Sequence, residues 1–219
     1  MQKFSSSRFR AANLCHRTHL IPLITSNLLE LMPSNAYTNH LQVLLKDAEE
    51  ISIAHKQLRT GERGRQWGLG ALNRAVVALC VSSWEAYVEQ LLIESVELLR
   101  PAAPPLNAWS TLNASARSDI HRFNTPNAEN TKKLFAENLG IADVTAEWYW
   151  QNCDCHKARV LLNEVLTSRH QVVHGVNPRP TIHNIYSQRL PGFFRNLGRC
   201  TDAAVKRHVG GTLGIMAPW

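Results

Sequence analysis

Apolar residues recur at steps of three and four along most of the chain, and this spacing predicts helices rather than strands. The first clear pattern is an amphipathic helix from about residue 39 to residue 58. A longer one runs from about residue 71 to residue 100 and stops at Pro101, because proline cannot continue a helix. The apolar face of the first helix consists of Leu41, Leu44, Leu45, Ala48, Ile51 and Leu58.

Two further helices are predicted in the second half of the chain. One runs from about residue 156 to residue 174, and the other runs from about 191 to 209, where Gly210 and Gly211 are expected to end it. The intervening sequence is less regular. It allows short helices at 115–122, 128–139 and 143–151.

Neither an alternating strand pattern of useful length nor an internal repeat is present. The sequence therefore predicts an all-α fold, a helical bundle built around the two long helices at about 71–100 and 156–174. We expect a helical domain over 36–210, preceded by an N-terminal extension (1–35) and followed by a C-terminal tail (211–219).

The N-terminal extension carries four basic residues and no acidic residue in its first 29 positions. Such a composition is typical of an organellar transit peptide. A variable helical extension is the simpler interpretation, with a short helix at 11–32 that is broken near Pro22.

Composition favours a cytoplasmic domain without a bound metal or cofactor. No apolar run reaches 18 residues, so no membrane span is expected. Five cysteines, an odd number without a regular framework, indicate a reducing compartment. Cys153, Cys155 and His156 resemble one corner of a zinc site, but no second ligand pair with zinc-like spacing follows.

The net charge of +7 is spread unevenly. Residues 176–219 hold six Lys or Arg and one acid, whereas residues 71–100 hold four Glu and two Arg. This distribution favours a phosphate-bearing partner such as RNA for the basic part, although ordinary solubility charge would produce it too. Arg63, Arg65 and Arg179 are the predicted RNA-binding cations, although the glycine-bearing connection that carries Arg63 and Arg65 also suits a solvated linker.

The most specific chemistry lies at the end of the 156–174 helix. There Arg169 precedes His174 by five positions, and Gly175 is the expected helix stop. Arginine binds phosphate bidentately, and histidine moves protons near neutral pH. Arg169 falls inside the apolar stripe of this helix, where an unpaired charge is costly. It therefore needs either a bound phosphate or a carboxylate of the fold as its partner. In the second case the residues are structural, and His174 stabilises the helix by facing the negative end of its dipole.

A second segment, Trp84-Glu85-Ala-Tyr87-Val-Glu89, favours the phosphate-binding role of Arg169 over the structural one. Together with a helix that ends in Arg-x4-His-Gly, it resembles the HEPN superfamily over roughly residues 40–210, in particular the RiboL-PSP and MAE_28990-like branches. The resemblance implies that Arg169 and His174 are ribonuclease residues. His170 stands where a polar residue, commonly asparagine, is usual.

By the same resemblance Glu85 is an auxiliary acid that orients Arg169 or a histidine, while Trp84 is assigned to core packing. The implied activity is metal-independent RNA cleavage in a homodimer formed through the motif helix, in a bacterial defence, toxin or RNA-repair setting. The alternatives are an inactive RNA- or nucleotide-binding scaffold and a toxin held by an antitoxin partner. The aromatic run Trp148-Tyr149-Trp150 suits either base stacking or, more commonly, core packing.

Overall fold

Helices form the regular structure of the chain in the computed structural model, which describes residues 32–61, 68–101, 105–175 and 181–219. No strand occurs within those ranges, where one isolated bridge joins Trp150 and Cys153. The all-α prediction is confirmed. The helices are α1 (Gln42–Gln57, preceded by a π-helical turn at Ala36–Leu41), α2 (Leu69–Leu98), α3 (Asn107–His121), α4 (Ala128–Leu139), α5 (Cys155–Val173) and α6 (Asn184–Thr212), with a 3-10 turn at Val144–Glu147.

The two long helices lie within two residues of their predicted bounds, because their apolar periods are long and uninterrupted. The less regular apolar patterns predicted the helix bounds less accurately. The helix predicted at 143–151 is only the short turn Val144–Glu147, and the one predicted at 115–122 begins earlier, at Asn107. The helix expected at 11–32 falls, apart from its last residue, outside the described residues.

Helix α2 is the centre of the bundle, because all the other helices pack against it. By length and composition it could also cross a membrane, with a mean hydropathy of 1.4 in its most apolar window. That window is 56% buried inside the protein, and a core helix meets the same criteria. Its apolar character is explained by its central position.

Trp84 confirms its predicted packing role. Its side chain is fully buried, its Nε1 donates to the Pro126 carbonyl at 2.9 Å, and its ring meets that of Trp148 edge-on at 5.8 Å. Trp148 is buried as well and donates from Nε1 to Thr201 Oγ1 at 2.9 Å. Each indole buries a large apolar surface and still satisfies its N–H group, as a stable core requires. Core packing therefore accounts for Trp148.

A buried polar network ties the start of the described chain to α2 and α6. Asp202 Oδ1 accepts from Tyr87 Oη at 2.7 Å and from Ser34 Oγ at 2.9 Å, and Asp202 Oδ2 accepts from the Ser34 amide at 2.7 Å. Burial raises the pKa of the Asp202 carboxyl, and these donors oppose that shift. The network fixes the register of three segments far apart in sequence.

The end of α6 corrects a prediction. Gly210 and Gly211 do not stop the helix, which continues to Thr212. Glycine costs only about 1 kcal/mol relative to alanine in a helix, so neighbouring contacts can carry the helix through it. After Gly214, which has a φ of +66°, the chain turns back and the Ile215 amide donates to the Val209 carbonyl at 3.1 Å. Ala217 and Trp219 are buried against the bundle.

Candidate active site

Helix α5 carries the Arg-x4-His motif and has well-defined ends. Asp154 caps its N-terminus, because its side chain accepts from the Lys157 amide at 2.8 Å. At the other end Gly175 adopts a φ of +66°, the left-handed conformation that glycine tolerates best. The predicted helix stop at Gly175 is confirmed. The motif therefore occupies the end and the C-cap of a helix whose two termini are defined.

The apolar stripe of α5 is buried along most of the helix and emerges at its end. Leu162, Val165 and Leu166 are buried, whereas Arg169 is half-buried and Val173 is 53% exposed. Among the described residues, the cover over the apolar stripe therefore ends before Val173. Arg169 lies at the boundary between core and solvent.

The two motif histidines lie side by side in solvent. The ring centroids of His170 and His174 are 4.3 Å apart, and their planes are tilted by 41°. Both side chains are exposed. They occupy the last turn and the C-cap of α5, where unpaired carbonyls and the helix dipole favour positive charge.

Glu85 reaches toward the motif helix from α2. Its side chain is half-buried, and burial raises the pKa of its carboxyl while the Arg169 guanidinium acts in the opposite direction. Among the described residues the two groups form no ion pair within 4 Å and no direct hydrogen bond. Glu85 and Arg169 are therefore electrostatic neighbours whose charges are not locked together.

A second acid, Glu89, lies one turn further along the same side of α2. It is half-buried too, and both its burial and the nearby Glu85 charge raise its pKa. Glu85 and Glu89 together are called the acidic face of α2 below, and Glu85 is the one of the two that interacts electrostatically with Arg169. The spacing of four between Glu85 and Glu89 indicates a shared helix face and was the available sequence signal for Glu89.

The chain that returns from the motif is held to the bundle by residues that the sequence analysis did not single out. Asn73 of α2 donates to the Ile182 carbonyl at 3.0 Å and accepts from Ser187 Oγ at 3.1 Å. The Tyr186 hydroxyl interacts with Ser168, next to the motif arginine, and burial raises the pKa of Tyr186. A buried asparagine within an apolar helix was the available signal, because such a group needs partners.

The predicted RNA-binding arginines, the aromatic run and the zinc-like cysteines are placed as follows. Arg63, Arg65 and Arg179 lie outside the described residues. Tyr149 is 73% exposed, unlike Trp148, and Trp150 packs on Phe193 with ring centroids 5.9 Å apart. Across the described ranges, no three His, Cys, Asp or Glu side chains gather as a metal site, and the four cysteines found there are free thiols.

The end of α5 thus combines a guanidinium that no carboxylate holds, two adjacent imidazoles open to solvent, and a carboxylate within electrostatic reach. A guanidinium can bind a phosphate, and imidazoles can exchange protons with groups attached to it. His170, Val173 and His174 at this end of the helix are exposed. The arrangement suits an anionic ligand that arrives from solvent.

Comparison with known proteins gives one result that covers most of the chain. The family model described as RiboL-PSP-HEPN matches residues 42–206, from the first residue of α1 to the last third of α6. Curated proteins and solved structures give no match. The matched span includes the acidic face of α2 and the whole motif helix, and HEPN domains are generally RNA-related and of ribonuclease type. The chain belongs to the RiboL-PSP-HEPN family, a HEPN-type all-α domain.

Proposed function

We propose that this protein is a metal-independent endoribonuclease whose active site is built from Arg169, His174, His170 and Glu85. The observation that carries the proposal is the state of Arg169. A half-buried guanidinium that forms no ion pair within 4 Å among the described residues, and that lies beside two exposed imidazoles, is suited to receive a phosphate.

The proposed reaction is an internal transesterification. The ribose 2′-oxygen attacks the adjacent phosphorus, a new P–O2′ bond forms, and the P–O5′ bond breaks. His174 removes the 2′-OH proton or delivers a proton to the departing 5′-oxygen, and His170 supplies the complementary proton transfer. The products are a 2′,3′-cyclic phosphate and a 5′-OH, so no water or metal-bound hydroxide enters this step.

The expected contributions are sufficient for a slow, selective nuclease. General acid–base catalysis is typically worth about 10²–10⁴-fold. A preorganised donor that stabilises developing charge, here Arg169 on the phosphorane oxygens, adds about 10²–10³-fold. Glu85 touches neither the phosphate nor the reacting atoms in this scheme. It acts through Arg169 as a positioning residue, because its charge attracts the guanidinium without neutralising it in a fixed pair.

The site is proposed to be completed by a second copy of the chain. HEPN domains commonly dimerise, and three features at this end of α5 suit a two-fold contact. Val173 is exposed, the two histidines project into solvent, and among the described residues Glu85 forms no ion pair with Arg169 of its own chain. In a symmetric dimer each motif helix meets its copy, so Glu85 of one chain can face the motif cations of the other.

A non-catalytic RNA- or nucleotide-binding scaffold is the alternative, and the same surface would serve it. Cleavage assays distinguish the two. Purified protein incubated with RNA in EDTA should cleave it and leave 2′,3′-cyclic phosphate ends, detectable because such ends resist ligation until they are opened. Activity that disappears in EDTA and returns with Mg²⁺ would contradict the mechanism, and RNA binding without cleavage would favour the scaffold. A cytoplasmic role in bacterial defence, as a toxin held by an antitoxin or in RNA repair, fits such an activity.

A further inference from the structure

His170 and His174 also have the arrangement of a chelating pair. They lie one turn apart on α5, both exposed, with ring centroids 4.3 Å apart. Two histidines four positions apart on a helix direct their nitrogens to the same region of solvent, which is how helical histidine pairs hold zinc. Within the described chain this is the one histidine pair in ring contact.

The distance between the rings is compatible with a shared ion. A metal–imidazole bond of about 2.0–2.1 Å places two nitrogen ligands of one ion roughly 3 Å apart. Rings with centroids 4.3 Å apart reach that spacing by rotation about χ2, which is a broad torsion in histidine. Neither imidazole has a hydrogen-bonded partner in the described structure that the ion would have to displace.

The surrounding charge also admits a cation. The pair occupies the C-terminal turn and cap of α5, where the unpaired carbonyls carry partial negative charge. Arg169 would repel a metal ion, but its charge is opposed by Glu85, and Glu89 adds a second carboxylate to the same face of α2.

We propose that His170 and His174 together bind a late first-row transition-metal ion of the Cu²⁺, Ni²⁺ and Zn²⁺ class, with water completing its coordination. Imidazole is a preferred ligand of these ions. No third His, Cys, Asp or Glu joins the pair among the described residues, so the bound ion is exchangeable, unlike a four-ligand structural zinc.

Metal binding at this pair should inhibit RNA cleavage, because it occupies the imidazole nitrogens that must move protons. This consequence rests on the proposed function, whereas the binding itself does not. The ion is an inhibitor and has no part in the reaction.

The binding can be tested on untagged protein by calorimetric titration with Ni²⁺ and by electron paramagnetic resonance of added Cu²⁺. With its thiols alkylated, wild type should bind one ion per chain more than His170→Ala/His174→Ala, with nitrogen hyperfine structure in the Cu²⁺ spectrum. His170→Ala and His174→Ala should each weaken binding by about tenfold or more, because the second bond of the chelate is then lost.

His121→Ala is the matched control. His121 is also exposed and lies in the last turn of a helix, but Arg117 rather than a histidine precedes it by one turn. This variant should bind metal as wild type does. Affinity that is unchanged in His170→Ala, or equally reduced in His121→Ala, would overturn the proposed site.

Two further measurements separate this proposal from the nuclease proposal. Arg169→Ala should lose cleavage and keep metal binding, and wild-type cleavage should be inhibited by Zn²⁺ and restored by EDTA. Cleavage in EDTA by a protein that binds no Ni²⁺ would refute the chelate and leave the nuclease standing. Ni²⁺ binding at the pair by a protein that never cleaves RNA would do the reverse.

Discussion

The two sides of α2 differ in the hydrogen bonds that their polar groups make, although Trp84 on one side and Glu85 on the other are adjacent in sequence. Trp84 and Tyr87 face the core, and both make short hydrogen bonds there, Trp84 to Pro126 and Tyr87 to Asp202. Glu85 and Glu89 form the acidic face, half-buried and without a hydrogen bond in the described structure. The core side therefore fixes the helix in the bundle, whereas the acidic face keeps carboxylates free for other partners, as a functional site requires.

The largest losses of activity are expected from substitutions in the motif itself. His174→Ala and Arg169→Ala should each reduce cleavage by about 10²–10⁴-fold and leave the helical content unchanged, because both side chains lie at the edge of the bundle. Single-turnover cleavage and circular dichroism measure the two quantities. His170→Ala should cost only about tenfold, as one proton transfer can be taken over by solvent.

Arg117→Ala provides the control for the motif variants, because it removes an exposed arginine that also precedes a histidine on a helix. It should cleave RNA like wild type. Wild-type activity in His174→Ala would remove the catalytic assignment. Loss of helical structure in Arg169→Ala would show instead that this arginine serves the fold.

On the core side, Trp84→Ala should destabilise the protein by about 3–5 kcal/mol, since it leaves a large cavity and an unpaired Pro126 carbonyl. Trp84→Phe should cost less, because it retains most of the ring volume. Urea denaturation followed by circular dichroism gives both values. A loss below about 1 kcal/mol for Trp84→Ala would contradict the central packing role of this residue.

Glu85→Gln should reduce cleavage by about tenfold while RNA binding stays equal or becomes slightly tighter, because positioning of Arg169 is lost and one negative charge is removed. Measurement of both kcat and the dissociation constant for RNA tests whether cleavage is lost while binding is kept. Glu97→Gln removes an exposed charge from the same helix and should change neither quantity. Equal losses in both measurements for Glu85→Gln would indicate a general structural role.

The smallest expected effect is a pH dependence of stability. Burial raises the pKa of Glu85 and Glu89 above the ordinary value of 4.5, so the unfolded chain ionises first as pH rises and the folded state loses stability over that interval. The double variant Glu85→Gln/Glu89→Gln should resemble wild type near pH 4 and gain a small advantage in melting temperature toward pH 7. A gap that shrinks with rising pH would show that these carboxylates are stabilised by unrecognised partners.

Much of the scaffold could be predicted from the sequence, because a helix is encoded locally. The apolar period placed α2 and α5 within two residues of their ends, and Gly175 marked the helix stop through its left-handed conformation. The assignment of Trp84 to the core was confirmed. The predicted end of α6 was wrong, since a glycine pair lowers helix propensity only slightly and the buried C-terminal residues favour the continued helix.

Part of the candidate site could likewise be predicted from the sequence, and part could not. The motif Arg-x4-His and the pair His170 and His174 are properties of one helix, so their shared edge follows from spacing alone. Whether Glu85 lies near Arg169, and whether Tyr186 reaches Ser168, depends on how separate helices cross and rotate against each other. Those angles result from the packing of many side chains at once. The sequence by itself therefore determined which helices form and which faces they bury, while the tertiary structure decided which charges from different helices meet.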